Sequence, residues 1–181
     1  MTALRRFLRD ESGTAAIEFV FMFPIVFTIF TASFESSLYM VRYVMFERAV
    51  DIVVRDIRLG RMDGVTHLAL KERICESGMM IGSVQECVDS MRIWMQPIST
   101  ADFAMVAPPR SCVDRSQPVD TTEPPGGEFG YGTENDIMLM RICWKEDPMF
   151  PTTAISVRMP VDQADGNYAL VVTSVFVNEP G

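Results

Sequence analysis

Glu18 is an acid inside the most apolar stretch of the chain, in the run S-G-T-A-A-I-E-F-V that begins at Ser12. A carboxylate held in hydrocarbon costs on the order of 2.5–3.5 kcal/mol on insertion scales, so such a residue ordinarily has a partner. The sequence offers one. Cleavage of the peptide bond after Gly13 would leave Thr14 at a new N-terminus with a free amine, and Glu18 would become the fifth residue. If the chain were cut there, processing at Gly13 and Thr14 would make a cation able to pair with Glu18. The plainer alternative is a single-pass anchor that tolerates one acid.

The cysteines form the second reactive set. Cys75, Cys87, Cys112 and Cys143 all lie beyond the apolar stretch, so they share one side of a membrane. An even number in an oxidising compartment favours disulfides, and four cysteines allow three connectivities. Cys75–Cys87 with Cys112–Cys143 is the preferred pairing. The first would staple two short helical pieces and the second would pin a long loop to a strand, each contributing about 3 kcal/mol. Zinc is disfavoured, because there is no C-x-x-C and His67 is the single histidine. His67 reads as a surface residue at a helix start. No G-x-S-x-G, phosphate-binding glycine loop or H-E-x-x-H occurs. Gly126, Gly127, Gly130 and Gly132 have the wrong spacing for such a loop. The chain reads as a non-enzyme without cofactor or metal. Met79, Met80, Met91, Met95, Met138 and Met140 read as adaptable core filler.

These residues need elements to hold them. Phe19 to Phe34 gives 16 uncharged residues, about 24 Å of helix against a hydrocarbon core of roughly 30 Å. From Ala15 to Val41 the only charges are Glu18 and Glu35, near the two ends, where both can lean toward headgroups. One span is the reading. Arg5, Arg6 and Arg9 precede it and place the N-terminus in the cytoplasm. A cleaved signal peptide fits the basic start but not Glu18, and no small-x-small site follows. The net charge of −8, with its acidic surplus beyond the span, would repel nucleic acid, so no such partner is expected.

The helix should continue past the membrane. Tyr39, Tyr43, Phe46, Val50, Val53 and Ile57 are spaced 4, 3, 4, 3 and 4, one apolar stripe at helical period. Asp51 and Arg55 lie off it as an i,i+4 pair. Gly60 and Gly64 end the pattern. Pro24 should kink the helix within the span. Thr66 can cap a short helix over His67 to Glu76, and Ser83 another to about Cys87. Strands are expected at Met91 to Ile98, Ile137 to Lys145 and Tyr168 to Val177, with a weaker one at Ile155 to Met159. A Pro/Gly-rich loop covers 107–133. The fold class is α+β: a long N-terminal helix, transmembrane then amphipathic, packed on a small, mainly antiparallel β-sheet domain. The parts are 1–13, a cytoplasmic leader; 14–60, the transmembrane helix and its amphipathic extension; and 61–181, a periplasmic α+β domain.

The stretch F-L-R-D-E-S-G-T-A-A-I-E-F-V-F-M-F-P from Phe7 to Pro24 resembles the start of TadE-like pseudopilins, the minor pilins of tight-adherence (Flp) pilus systems. The run E-R-A-V-D-I-V-V-R-D-I-R from Glu47, the spacing of Cys75 and Cys87, the strand with Arg141, Cys143 and Trp144, and V-F-V-N-E-P from Val175 are similar as well. The resemblance implies a pilin-like arrangement and cleavage after Gly13 by a prepilin peptidase. Glu18 then becomes the mature fifth-position glutamate, which pairs with a neighbouring subunit. It implies a role in assembling adhesive pili, with the major pilin, other pseudopilins, an inner-membrane assembly platform and membrane lipid as partners. The protein would sit in the inner membrane by one span, and then in or at the base of an extracellular pilus. The alternatives are an uncleaved periplasmic scaffold or a binding module of a secretion system.

Overall fold

The computed structural model describes residues 13–62, 64–78, 83–102, 106–109, 112–115, 127–151 and 167–179. The leader up to Ser12, Met79 and Met80, residues 110, 111 and 116–126 of the Pro/Gly-rich tract and the expected strand at Ile155 to Met159 lie outside the described residues. The element order is α1 (Thr14–Arg58), α2 (His67–Gly78), α3 (Val84–Asp89), β1 (Met91–Ile98), β2 (Ile137–Glu146) and β3 (Tyr168–Val177). The fold is α+β.

α1 is a single helix of 45 residues that runs through Pro24. Its first half exposes its apolar side chains: Phe19, Phe21, Phe23 and Phe27 are each 50–70% accessible. Its second half buries one stripe. Phe46, Ala49, Val50, Val53 and Ile57 are all 3% accessible or less, and Tyr39 and Tyr43 pack at the edge of the same core. The expected stripe is thus the seam between helix and sheet. Asp51 and Arg55 are not joined in an ion pair among the described residues. Arg58 instead meets Glu179 at 2.8 Å and Asp56 meets Arg61 at 3.4 Å.

The two short helices have local causes. Thr66 Oγ1 accepts from the Ala69 amide at 3.2 Å at the start of α2. Ser83 and Glu86 form a reciprocal capping box on α3, satisfying two amides that the helix start would leave open. The Cys75–Cys87 disulfide joins α2 to α3. Gly78 closes α2 against α1, and a Cβ there would stand 2.6 Å from the Cβ of Ala49.

The sheet has the order β1-β2-β3, antiparallel throughout. Alternation sends Met91, Ile93, Met95, Met138, Met140, Ile142, Leu170 and Val172 toward α1, all buried. The four methionines there fill core space, as expected. The opposite face is also covered. Trp94, Cys143 and Lys145 are 3%, 1% and 2% accessible. Pro109 and Cys112 are tied to this face, by Arg141 donating to the Pro109 carbonyl at 2.7 Å and by the Cys112–Cys143 disulfide. Both expected disulfides are therefore formed. The end of the Pro/Gly-rich tract is less irregular than its composition suggests. Residues 128–130 bond along β1, through the Met95 amide to Glu128 O and the Gly130 amide to Met95 O, each 2.9 Å. The Arg92–Glu128 ion pair fastens the same segment.

Candidate functional site

The expected processing site is the start of α1. Gly13 is its N-cap residue, with φ −78° and ψ −17°, and no side chain caps the helix. The glycine is not needed for a left-handed backbone, and a Cβ at this position would meet nothing within 4 Å. Neither conformation nor packing explains why this residue is glycine. Thr14 begins the helix, and Glu18 lies one turn on, on the same face. Glu18 is exposed and has no hydrogen bond or ion pair to another described residue. The structure thus brings Gly13, Thr14 and Glu18 together at a helix start without a side-chain cap among the described residues, where the positive end of the helix dipole lies.

Glu35 is a different acid from the one its sequence position suggests. Expected to reach water near the membrane surface, it is 1% accessible. Its two carboxylate oxygens accept from the Met149 and Phe150 amides at 3.1 and 3.0 Å. The turn after β2 folds back onto α1 and uses the carboxylate as its anchor, so the charge is satisfied by amides rather than by solvent. Phe34 meets Phe150 edge-on at 6.3 Å. The buried Tyr168 hydroxyl lies near the same carboxylate without being aligned for a hydrogen bond. Burial first, and Glu35 second, push its pKa well up. Glu35 lies four before Tyr39, and Thr31 four before that. The buried stripe runs back through both, and Thr31 is 4% accessible.

Above this point the chain becomes charged. Arg42 pairs with Glu146 at 2.9 Å, and Arg115 pairs with Asp147 at 2.6 Å. Burial raises the Glu146 pKa, and the Arg42 guanidinium works against that rise.

His67 also departs from expectation. It does begin α2, but its ring is partly buried edge-on against Phe129, with centroids 5.2 Å apart. Its Nε2 is buried without a hydrogen-bond partner among the described residues. Burial, helped by the nearby Lys71 ammonium, pulls its pKa down to about 4, while a bond to the Ile93 backbone and the Glu128 charge oppose the shift. Lys71 is itself 5% accessible, and burial lowers its pKa as well. Among the described residues no three His, Cys, Asp or Glu side chains gather as a metal site.

α1 is apolar and long enough to cross a membrane, and it is a candidate span by length and composition. The class of protein these features define is a small α+β domain carried on one long apolar helix. Residues 13–55, from the glycine to near the end of the buried stripe, match the family described as TadE-like protein. The chain is similar to that family over this segment of the helix. No curated protein and no solved structure matches the chain.

Proposed function

We propose that this chain is a TadE-like pseudopilin, a minor pilin that acts in the assembly of adhesive tight-adherence pili. A prepilin peptidase cuts after Gly13, and α1 anchors the protein in the inner membrane, with its α+β domain in the periplasm, until it is incorporated into the pilus. The observation that carries this reading is the start of α1: a glycine that neither backbone nor packing requires, followed by an exposed Glu18 with no partner among the described residues, on an apolar helix. Cleavage would place a cationic amine at the positive end of a helix dipole, an unfavourable arrangement that an acid relieves. The Glu18 of a neighbouring subunit is that acid. Subunit contact buries both charges in a low dielectric, where the pair gives register more than raw affinity. The exposed apolar surface of α1 is then shared first with lipid and later with the major pilin and other pseudopilins at the assembly platform. The two disulfides suit an oxidising compartment. The chain carries no chemistry of its own in this role and acts by docking.

Mass spectrometry of membrane-extracted protein, with and without the prepilin peptidase, tests the reading. The expected mature species begins at Thr14 only when the peptidase is present, and Gly13→Val blocks its appearance. An intact leader under both conditions would overturn it in favour of an uncleaved scaffold.

A further inference from the structure

The uncharged stretch of α1 is short for a membrane. Its exposed, uncharged surface runs from Phe19 to Phe34, about 24 Å by the helical rise, against a core of roughly 30 Å. At the upper end of that surface, the turn at 148–151 (Pro148, Met149, Phe150, Pro151) is drawn against the helix. Met149 is 48% accessible, Phe34 beside it is 43% accessible, and Pro151 is exposed. Phe150 touches Phe34 edge-on. The turn carries no charged side chain, and its polar amides at Met149 and Phe150 are consumed by Glu35. A charged collar follows: Arg42, Glu146, Asp147 and Arg115. Arg42 lies eight residues beyond Phe34, about 12 Å along the helix, which carries it past a headgroup layer of roughly 5–7 Å above the hydrocarbon boundary.

We propose that this turn is a second membrane contact, in which Met149 and its proline-flanked tip rest in the lipid interface beside Phe34 and extend the apolar belt of α1. The proposal rests on the reading of α1 as a membrane span. Glu35 is what makes the contact possible. A turn lowered to this depth would bring two backbone N–H groups out of water, and the carboxylate pairs both. In return the amides shield an acid that would be costly at the same depth. The occupant is lipid rather than solvent, because the patch is continuous with the apolar helix surface and is bounded by the charged collar. The contact also fixes how the soluble domain stands on the membrane, since a rigid helix alone leaves the domain free to rotate about the helix axis.

The test uses full-length protein in phosphatidylcholine–phosphatidylglycerol vesicles, with lipids brominated either near the headgroup end or near the methyl end of the acyl chain. Trp94 and Trp144 are buried, so the unmodified protein gives the baseline. Met149→Trp should lose emission to the shallow bromines more than to the deep ones. Phe27→Trp, within the span, should lose it to the deep ones. Glu35→Ala combined with Met149→Trp should abolish the shallow quenching, while Glu35→Ala combined with Phe27→Trp stays quenched. Quenching of Phe27→Trp without quenching of Met149→Trp would overturn the proposal and assign the tip to a protein partner. Shallow quenching that persists with Glu35→Ala would overturn the role given to the carboxylate. If neither tryptophan is quenched, the span reading fails and the proposal falls with it.

Discussion

Replacing Glu18 by Gln removes a charge that touches no described residue in the isolated chain. The thermal unfolding of detergent-solubilised Glu18→Gln is therefore expected to match the parent protein, while co-purification with the major pilin is lost. Glu35→Gln is the converse. It leaves one carbonyl oxygen to serve two amides and turns an NH2 toward donors, which costs roughly 1–3 kcal/mol, so the unfolding midpoint should fall. Equal behaviour of the two variants would remove the distinction between a docking acid and an anchoring one. His67 supplies a pH test. Its pKa in the folded protein is about 4 against 6.5 for the free side chain, so between those values the unfolded chain binds a proton that the folded chain refuses. Its contribution is fully present above the unfolded value and is lost as pH falls through this interval. The slope approaches about 1.4 kcal/mol per pH unit for one proton. Urea midpoints measured from neutral pH down to the lower value should show a fall that is reduced in His67→Leu.

At the scale of elements, α2 closes on α1 where Gly78 meets Ala49. Gly78→Ala would press a methyl into Ala49, and such overpacking costs about 1–3 kcal/mol. A lowered midpoint is expected, with partial rescue by Ala49→Gly in the same chain. No rescue would mean that the cost lies in the backbone at the end of α2 rather than in the contact. The disulfides act on separate layers. Cys75–Cys87 spans 12 residues and joins two helices, and Cys112–Cys143 spans 31 and fixes the cover over the outer face of the sheet. Cys75→Ala with Cys87→Ala should lower stability by about 2–4 kcal/mol. Cys112→Ala with Cys143→Ala should in addition expose Trp94, read as a red shift in its emission. An unshifted spectrum would show that the Arg141 contact to Pro109 is enough to hold the cover.

The whole molecule is a greasy rod whose far half is one wall of a small domain. The sequence by itself determined the elements and the span. Helical period, caps at Thr66 and Ser83, and β-branched runs are local signals that act between residues a few positions apart, so α1, α2, α3 and all three strands fell close to where their patterns placed them. Gly13, Thr14 and Glu18 stand close together at the start of α1 because they are near neighbours along the helix. The preferred disulfide pairing also survived folding. What only the tertiary structure decided was the environment of residues whose partners lie far along the chain. Glu35 is joined to amides 114 and 115 positions away, and no window around it announces them. His67 is enclosed by Phe129, from a tract whose prolines and glycines signal only irregular backbone. Burial and pKa are set by what closes over a side chain, and that closure depends on how the strands register against the helix, which local pattern does not fix.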